Sequence, residues 1–134
     1  MFAIDTNVLV RLLVDDPGDP GQCAAARDFV AGQQMVMIPE PVLLECVWVL
    51  QRIFGMARPN LKLALGELLR NARYRLERPV VANAAIALFE ATSLDFGDCL
   101  IHAACGVAAT ELVTFDKPLS RVAGARLLSM KGTI

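Results

Sequence analysis

The chain alternates short apolar blocks with longer segments of helical period. Phe2 to Ile4 is a short apolar strand that ends on Asp5, and the apolar segment Asn7 to Val14 behind it reads as a helix with Thr6 as a suitable N-cap. Asp15 to Gly21 (DDPGDPG) is dense in turn residues, and Gln22 to Ala31, rich in alanine, reads as the next helix. Met35 to Ile38 predicts a second strand. Pro39 to Pro41 then opens a helix running to about Phe54 and closed by Gly55, because proline is tolerated in a helix's first turn and glycine just past its end.

A further helix is expected from about Pro59 to Asn71, a short strand at Tyr74 to Glu77, and helices at Val80 to Ala91 and Phe96 to Ala108, the last capped by Asp95. Strands follow at Glu111 to Thr114 and Arg126 to Ser129. Short β-branched strands alternating with amphipathic helices indicate an α/β sandwich around a parallel sheet. At 134 residues, with no internal repeat or linker, one domain over 1–134 is the expectation.

Composition narrows the class. Hydrophobic residues make up 55% and charged residues 20%, more apolar than soluble domains usually are, which suggests apolar surface kept for a partner. No apolar run approaches the roughly 18 residues that a membrane span needs, and Asp5 interrupts the place where a signal peptide would continue, so a soluble cytoplasmic protein without a membrane role is expected. The four cysteines, Cys23, Cys46, Cys99 and Cys105, lack C-x-x-C spacing and read as reduced core residues. His102 is the single histidine, which excludes a two-histidine zinc site.

Net charge is only −1, yet seven of the thirteen basic residues (Arg52, Arg58, Lys62, Arg70, Arg73, Arg75 and Arg78) fall between positions 52 and 78. Such a stripe could follow a phosphate backbone, or be an ordinary solvated helix face.

Carboxylates carry the candidate chemistry. Glu45 sits in VLLECVWVL, where every other residue is apolar, and a helix apolar on all sides reads as buried. A buried carboxylate must then be protonated, paired or bound to a cation. Asp5 and Asp116 each follow an apolar strand, at the edge where open α/β folds place ligands. Each also has a structural reading: Asp5 or Thr6 caps a helix, and Asp116 starts the turn before Lys117 and Pro118. Asp98 lies three residues after Asp95 in a helix's first turn, where the dipole alone favours an acid. If Asp5, Glu45, Asp98 and Asp116 converge, they cannot all stay ionised unaided, and a divalent cation held by oxygen donors would resolve the conflict, favouring Mg²⁺ or Mn²⁺ over zinc.

The opening IDTNVLVRLL, the glutamate at Glu45, the DFGDCLIHAA segment around Asp98 and LVTFDKPL around Asp116 together resemble the PIN-domain family, in that family's order and over essentially the whole chain. The short length, with Met1 just before the first strand, is similar to toxins of the VapC type. The resemblance implies a Rossmann-like, three-layer α/β/α fold with a central parallel sheet of four to five strands, and an Mg²⁺- or Mn²⁺-dependent endoribonuclease. It implies catalytic roles for Asp5, Glu45, Asp98 and Asp116, metal ligation by Asp5, Asp98 and Asp116, and supporting hydrogen bonds from Thr6, Asn7 and Thr114. It also implies an RNA substrate, a homodimer, and a protein antitoxin bound in a groove for which the helices near residues 40–71, with Trp48, Phe54 and Met56, are candidates. Cys99, where relatives often have alanine, and His102 stand outside the shared pattern. A phosphatase of the haloacid-dehalogenase type is the first alternative, but it wants an aspartate where Asn7 stands. A catalytically silent PIN-like module that binds RNA or protein is the second.

Overall fold

In the computed structural model of the chain, residues 1–130 are described and form seven helices and five strands. They cluster into two compact units, Met1–Pro79 and a second beginning at Val80.

The first unit is built on a parallel sheet of order β1-β2-β3, from β1 (Phe2–Ala3), β2 (Val36–Ile38) and β3 (Tyr74–Leu76). Phe2 pairs with Val36, and Val36 pairs in turn with Tyr74. Parallel neighbours need crossover segments, supplied by α1 (Thr6–Leu13) and α2 (Pro20–Ala31) between β1 and β2, and by α3 (Glu40–Arg52) and α4 (Arg58–Arg70) between β2 and β3. Helix α1 packs on both α2 and α3. Its Leu9 and Val10 join Val36 and Ile38 of β2 and Leu43, Val47 and Leu50 of α3 in the buried core.

Local signals fix the helix ends. Asp19 accepts from the Gln22 amide at the start of α2, with Pro20 in the first helical position. At the other end of α2, Arg73 Nη1 donates to the carbonyls of Val30, Ala31 and Gln33, tying β3's approach to the last turn of the helix and the residues just past it. Gly55 closes the α3 segment at φ +63°, a left-handed conformation that a side chain would oppose.

Helix α3 departs from expectation. Leu43, Cys46, Val47 and Leu50 are buried at helical spacing, but the opposite face, with Leu44, Glu45 and Trp48, is exposed. An apolar sequence on every side therefore does not mean burial on every side: hydrophobicity places residues inside only to the extent that there is an inside to fill.

In the second unit, α5 (Pro79–Ala91) and α6 (Phe96–Val107) bury Ile86, Phe89, Phe96, Cys99 and Ala103, with the Phe89 and Phe96 rings edge to face at 5.4 Å. Strands β4 (Leu112–Thr114) and β5 (Ala125–Leu127) form a parallel pair bridged by α7 (Lys117–Ser120), a helix the sequence reading lacked. The parallel α/β pattern expected from the sequence is thus present, with three strands in one ladder and two in the other.

Candidate functional site

The first unit carries two of the predicted acids. Asp5 ends the β1 segment and takes extended backbone as the N-cap of α1, its Oδ1 accepting from the Val8 amide at 3.1 Å. Asp5, not Thr6, is therefore the cap. This frees the Thr6 hydroxyl, which donates to Glu45 Oε1 on α3 and links the helix that Asp5 starts to the helix that carries Glu45. Glu45 itself is exposed, which corrects the expectation of a buried carboxylate and removes the desolvation argument made for it. Its connection to the start of α1 remains.

Asn7 is exposed, in the first turn of α1, and lines a cleft of about 570 Å³. That cleft runs between α1 and α2 and is walled by Ala3, Ile4, Asp5, Val8, Arg11, Gln22, Ala25, Ala26 and Phe29. The Arg11 side chain is only 17% exposed and lies 3.5 Å from Asp16.

The second unit carries the other two acids. Asp116 caps α7, its Oδ2 accepting from the Leu119 amide at 2.9 Å, and its own amide donates to Thr114 Oγ1 at 3.0 Å. Thr114 thus supports the loop that presents Asp116. Asp98 is half-buried in the first turn of α6. Burial pushes its carboxyl above the usual carboxylate range, and the negative charges of Asp95 and Asp116 push it the same way. Asp95 occupies the N-cap position of α6 but makes no side-chain cap bond. One turn along α6, His102 Nε2 lies 2.8 Å from the Ala123 carbonyl, a contact that fastens the approach to β5.

The basic stripe is partly engaged in contacts within the first unit. Arg73 is engaged in closing α2, and Arg78 makes a two-pronged pair with Glu40 through Nε at 3.0 Å and Nη2 at 2.6 Å. Two of its seven members are thus committed to holding the first unit together.

A hard divalent cation suits these residues in kind. The donors are carboxylate oxygens, and the Asp98 carboxyl is raised first by burial and then by the charges of Asp95 and Asp116. Among the described residues, no three carboxylate, histidine or cysteine side chains already stand together as a metal cage. Asp5 and Asp116 each hold one carboxylate oxygen fixed by a backbone amide.

Comparison with known families agrees with the motifs. The PIN domain family model matches residues 2–125, and the chain belongs to that family. PIN domains are in general nucleases, which supports hydrolysis of a nucleic-acid phosphodiester and leaves the haloacid-dehalogenase alternative without support. No curated protein matches the chain. Among solved structures, a chain of a toxin-antitoxin complex from Klebsiella pneumoniae is 18% identical over 93% of this chain and 95% of that one, with a TM-score of 0.35. No helix among the described residues is long and apolar enough to cross a membrane.

Sequence reasoning passed over Gln22 and Phe29 on the cleft wall, because an exposed glutamine and phenylalanine on an alanine-rich helix carry no motif.

Proposed function

We propose that the chain is a metal-dependent endoribonuclease, the toxin of a VapBC-type pair, active in the cytoplasm and held in check by a protein antitoxin. Asp5, Glu45, Asp98 and Asp116 form its acidic set, and Mg²⁺ or Mn²⁺ is the metal. The observation that carries this reading is the PIN domain family match over residues 2–125, and the half-buried Asp98 beside Asp95 and Asp116 is a place in keeping with a cation. Family membership supplies the reaction class.

Asp5, Asp98 and Asp116 would hold the metal, which when bound lowers the pKa of a coordinated water and offsets charge on the leaving oxygen. The chain's own contributions follow from its hydrogen bonds. The Val8 and Leu119 amides each fix one oxygen of Asp5 and Asp116, so neither carboxylate has to be ordered when substrate arrives. Thr6 holds Glu45 in one orientation, with its second oxygen free to accept a proton from the attacking water. Asn7 lies beside Asp5 on the open cleft, within the substrate's approach. Homodimerisation is part of the proposal. The exposed apolar face of α3, with Leu44 and Trp48, is the candidate for the antitoxin groove, and Phe54 and Met56 are half-buried nearby in sequence.

The test is cleavage of a mixed RNA substrate with Mg²⁺, Mn²⁺ or EDTA, beside an Asp5→Asn/Asp98→Asn protein of verified fold. Metal-dependent cleavage absent from the double variant is expected. Cleavage that persists in EDTA, or in the double variant, would overturn the reading.

A further inference from the structure

We infer that the cleft between α1 and α2 is a subsite for one nucleotide of an RNA strand, with its base against Phe29 and its phosphate on Arg11. The inference rests on the ribonuclease reading and adds a place where the strand flanking the cut is gripped. The cleft's volume of about 570 Å³ falls within the roughly 300–1,000 Å³ typical of small-ligand sites. Its walls are mostly apolar, from Ala3, Ile4, Val8, Ala25 and Ala26, and Asp5 and Arg11 line it as well. Asp5 and Arg11 are six positions apart on one helical segment, about 9 Å at 1.5 Å per residue. A strand cut beside Asp5 would therefore bring a neighbouring phosphate, not the scissile one, to Arg11.

Arg11 is poorly satisfied where it stands. Its contact with Asp16, at 3.5 Å, is longer than the roughly 2.7–2.9 Å of a charge-assisted hydrogen bond. Its Nε is buried with no hydrogen-bond partner among the described residues. The enclosed Nε is out of a ligand's reach, but the part of the side chain that remains exposed can meet a phosphate, the acceptor that a guanidinium fork fits best. Were Arg11 only a strut for the Asp15–Gly21 loop, a close two-pronged pair like that of Arg78 with Glu40 would be expected instead.

Phe29 supplies the other half. It is 39% exposed on the cleft wall, and the edge-to-face contact with Phe2 at 5.4 Å and 74° fixes its ring. A fixed aromatic ring reached from solvent is a stacking platform for a base, indifferent to which base it is. The exposed amides of Asn7 and Gln22 line the same space and have donors and acceptors to offer a base edge.

The experiment uses the full chain in EDTA and a fluorescent 2′-O-methyl RNA octamer, which binds but resists cleavage, titrated by anisotropy across a salt series. Arg11→Met should weaken binding and make the log–log salt slope shallower by about 0.7, the value of one single-strand phosphate contact. Phe29→Leu, which keeps the apolar volume, should weaken binding at least about five-fold and leave the slope unchanged. With unmodified RNA and Mg²⁺, both should raise KM more than they lower kcat. Equal affinity in both variants, or an unaltered slope in Arg11→Met, overturns the subsite even if the wild type cleaves RNA. Arg11-dependent binding by a wild type that cleaves under no metal condition upholds the subsite and overturns the ribonuclease reading. A wild type that neither binds nor cleaves overturns both.

Discussion

Replacing Asp98 by asparagine should abolish cleavage and at the same time stabilise the metal-free protein. Asp98 has a folded-state pKa above its ordinary value of 3.8, because burial and then the charges of Asp95 and Asp116 disfavour its ionised form. An acid raised in this way costs stability wherever it is ionised in the folded state. The cost is full at neutral pH and disappears as pH falls through the folded value towards 3.8, where the carboxyl is protonated in both states. Asparagine keeps the shape and removes the charge. Because the side chain still meets solvent, screening reduces the gain to about 0.5–1 kcal/mol. With an unfolding entropy of about 2.1 cal/mol/K per residue, a chain of 134 residues should melt about 2–4 °C higher. The assay is a thermal melt of both proteins in EDTA at neutral pH and again near pH 3.5, where the difference should vanish. A variant that melts at or below the wild-type temperature at neutral pH would refute the charge-repulsion account of this site.

The remaining expectations concern parts of the fold that do separate jobs. Asp5→Asn, still able to cap α1, should leave stability within about 0.5 kcal/mol in urea unfolding and abolish cleavage, whereas Asp5→Ala should also cost about 1 kcal/mol; equal stability of the two would deny the cap. With a thiol reagent near pH 8, Cys105 should label first in the native protein, since Cys23, Cys46 and Cys99 are buried and burial pushes the Cys46 thiol up to about 12; peptide mapping showing Cys46 labelled as fast would contradict its placement. Arg73→Ala should lower the urea midpoint by the equivalent of about 1–2 kcal/mol with the m-value unchanged, because the Ala31 and Gln33 carbonyls, at and just beyond the end of α2, lose this donor.

Much of the fold was legible because its helices announce their ends. Proline in the first turn of α2, α3 and α4, and glycine after α3, mark boundaries that the structure reproduces within a few residues. Helix α7 was not legible: at four residues it is too short to show a period, and KPLS reads as a turn. The exposure of Glu45 was hidden for a different reason. Sequence records which residues are apolar, but which faces find a partner depends on the packing around them, and α3 buries only one side. Within the basic stripe, Arg73 and Arg78 put their charge into contacts that only the folded chain creates, which sequence adjacency does not disclose. The enclosure of the Arg11 Nε is likewise a product of packing that sequence does not record.

The two readings open for Asp5 and Asp116, helix cap and metal ligand, turn out not to compete. A carboxylate has two oxygens, and each of these residues gives one to a backbone amide, Asp5 Oδ1 to Val8 and Asp116 Oδ2 to Leu119. That single bond orients the group while leaving the second oxygen with its lone pairs, which is what a one-oxygen metal ligand requires. It also places negative charge at a helix N-terminus, where the dipole partly offsets the repulsion that gathering acids would otherwise meet. The N-terminal side of α6 carries Asp95 and Asp98, and there the offset falls short, since Asp95 makes no cap bond and Asp98 is left raised. Helix starts can therefore hold acids that a fold would otherwise reject. The acid least accommodated by its own helix, Asp98, is the one whose environment would gain most from a cation.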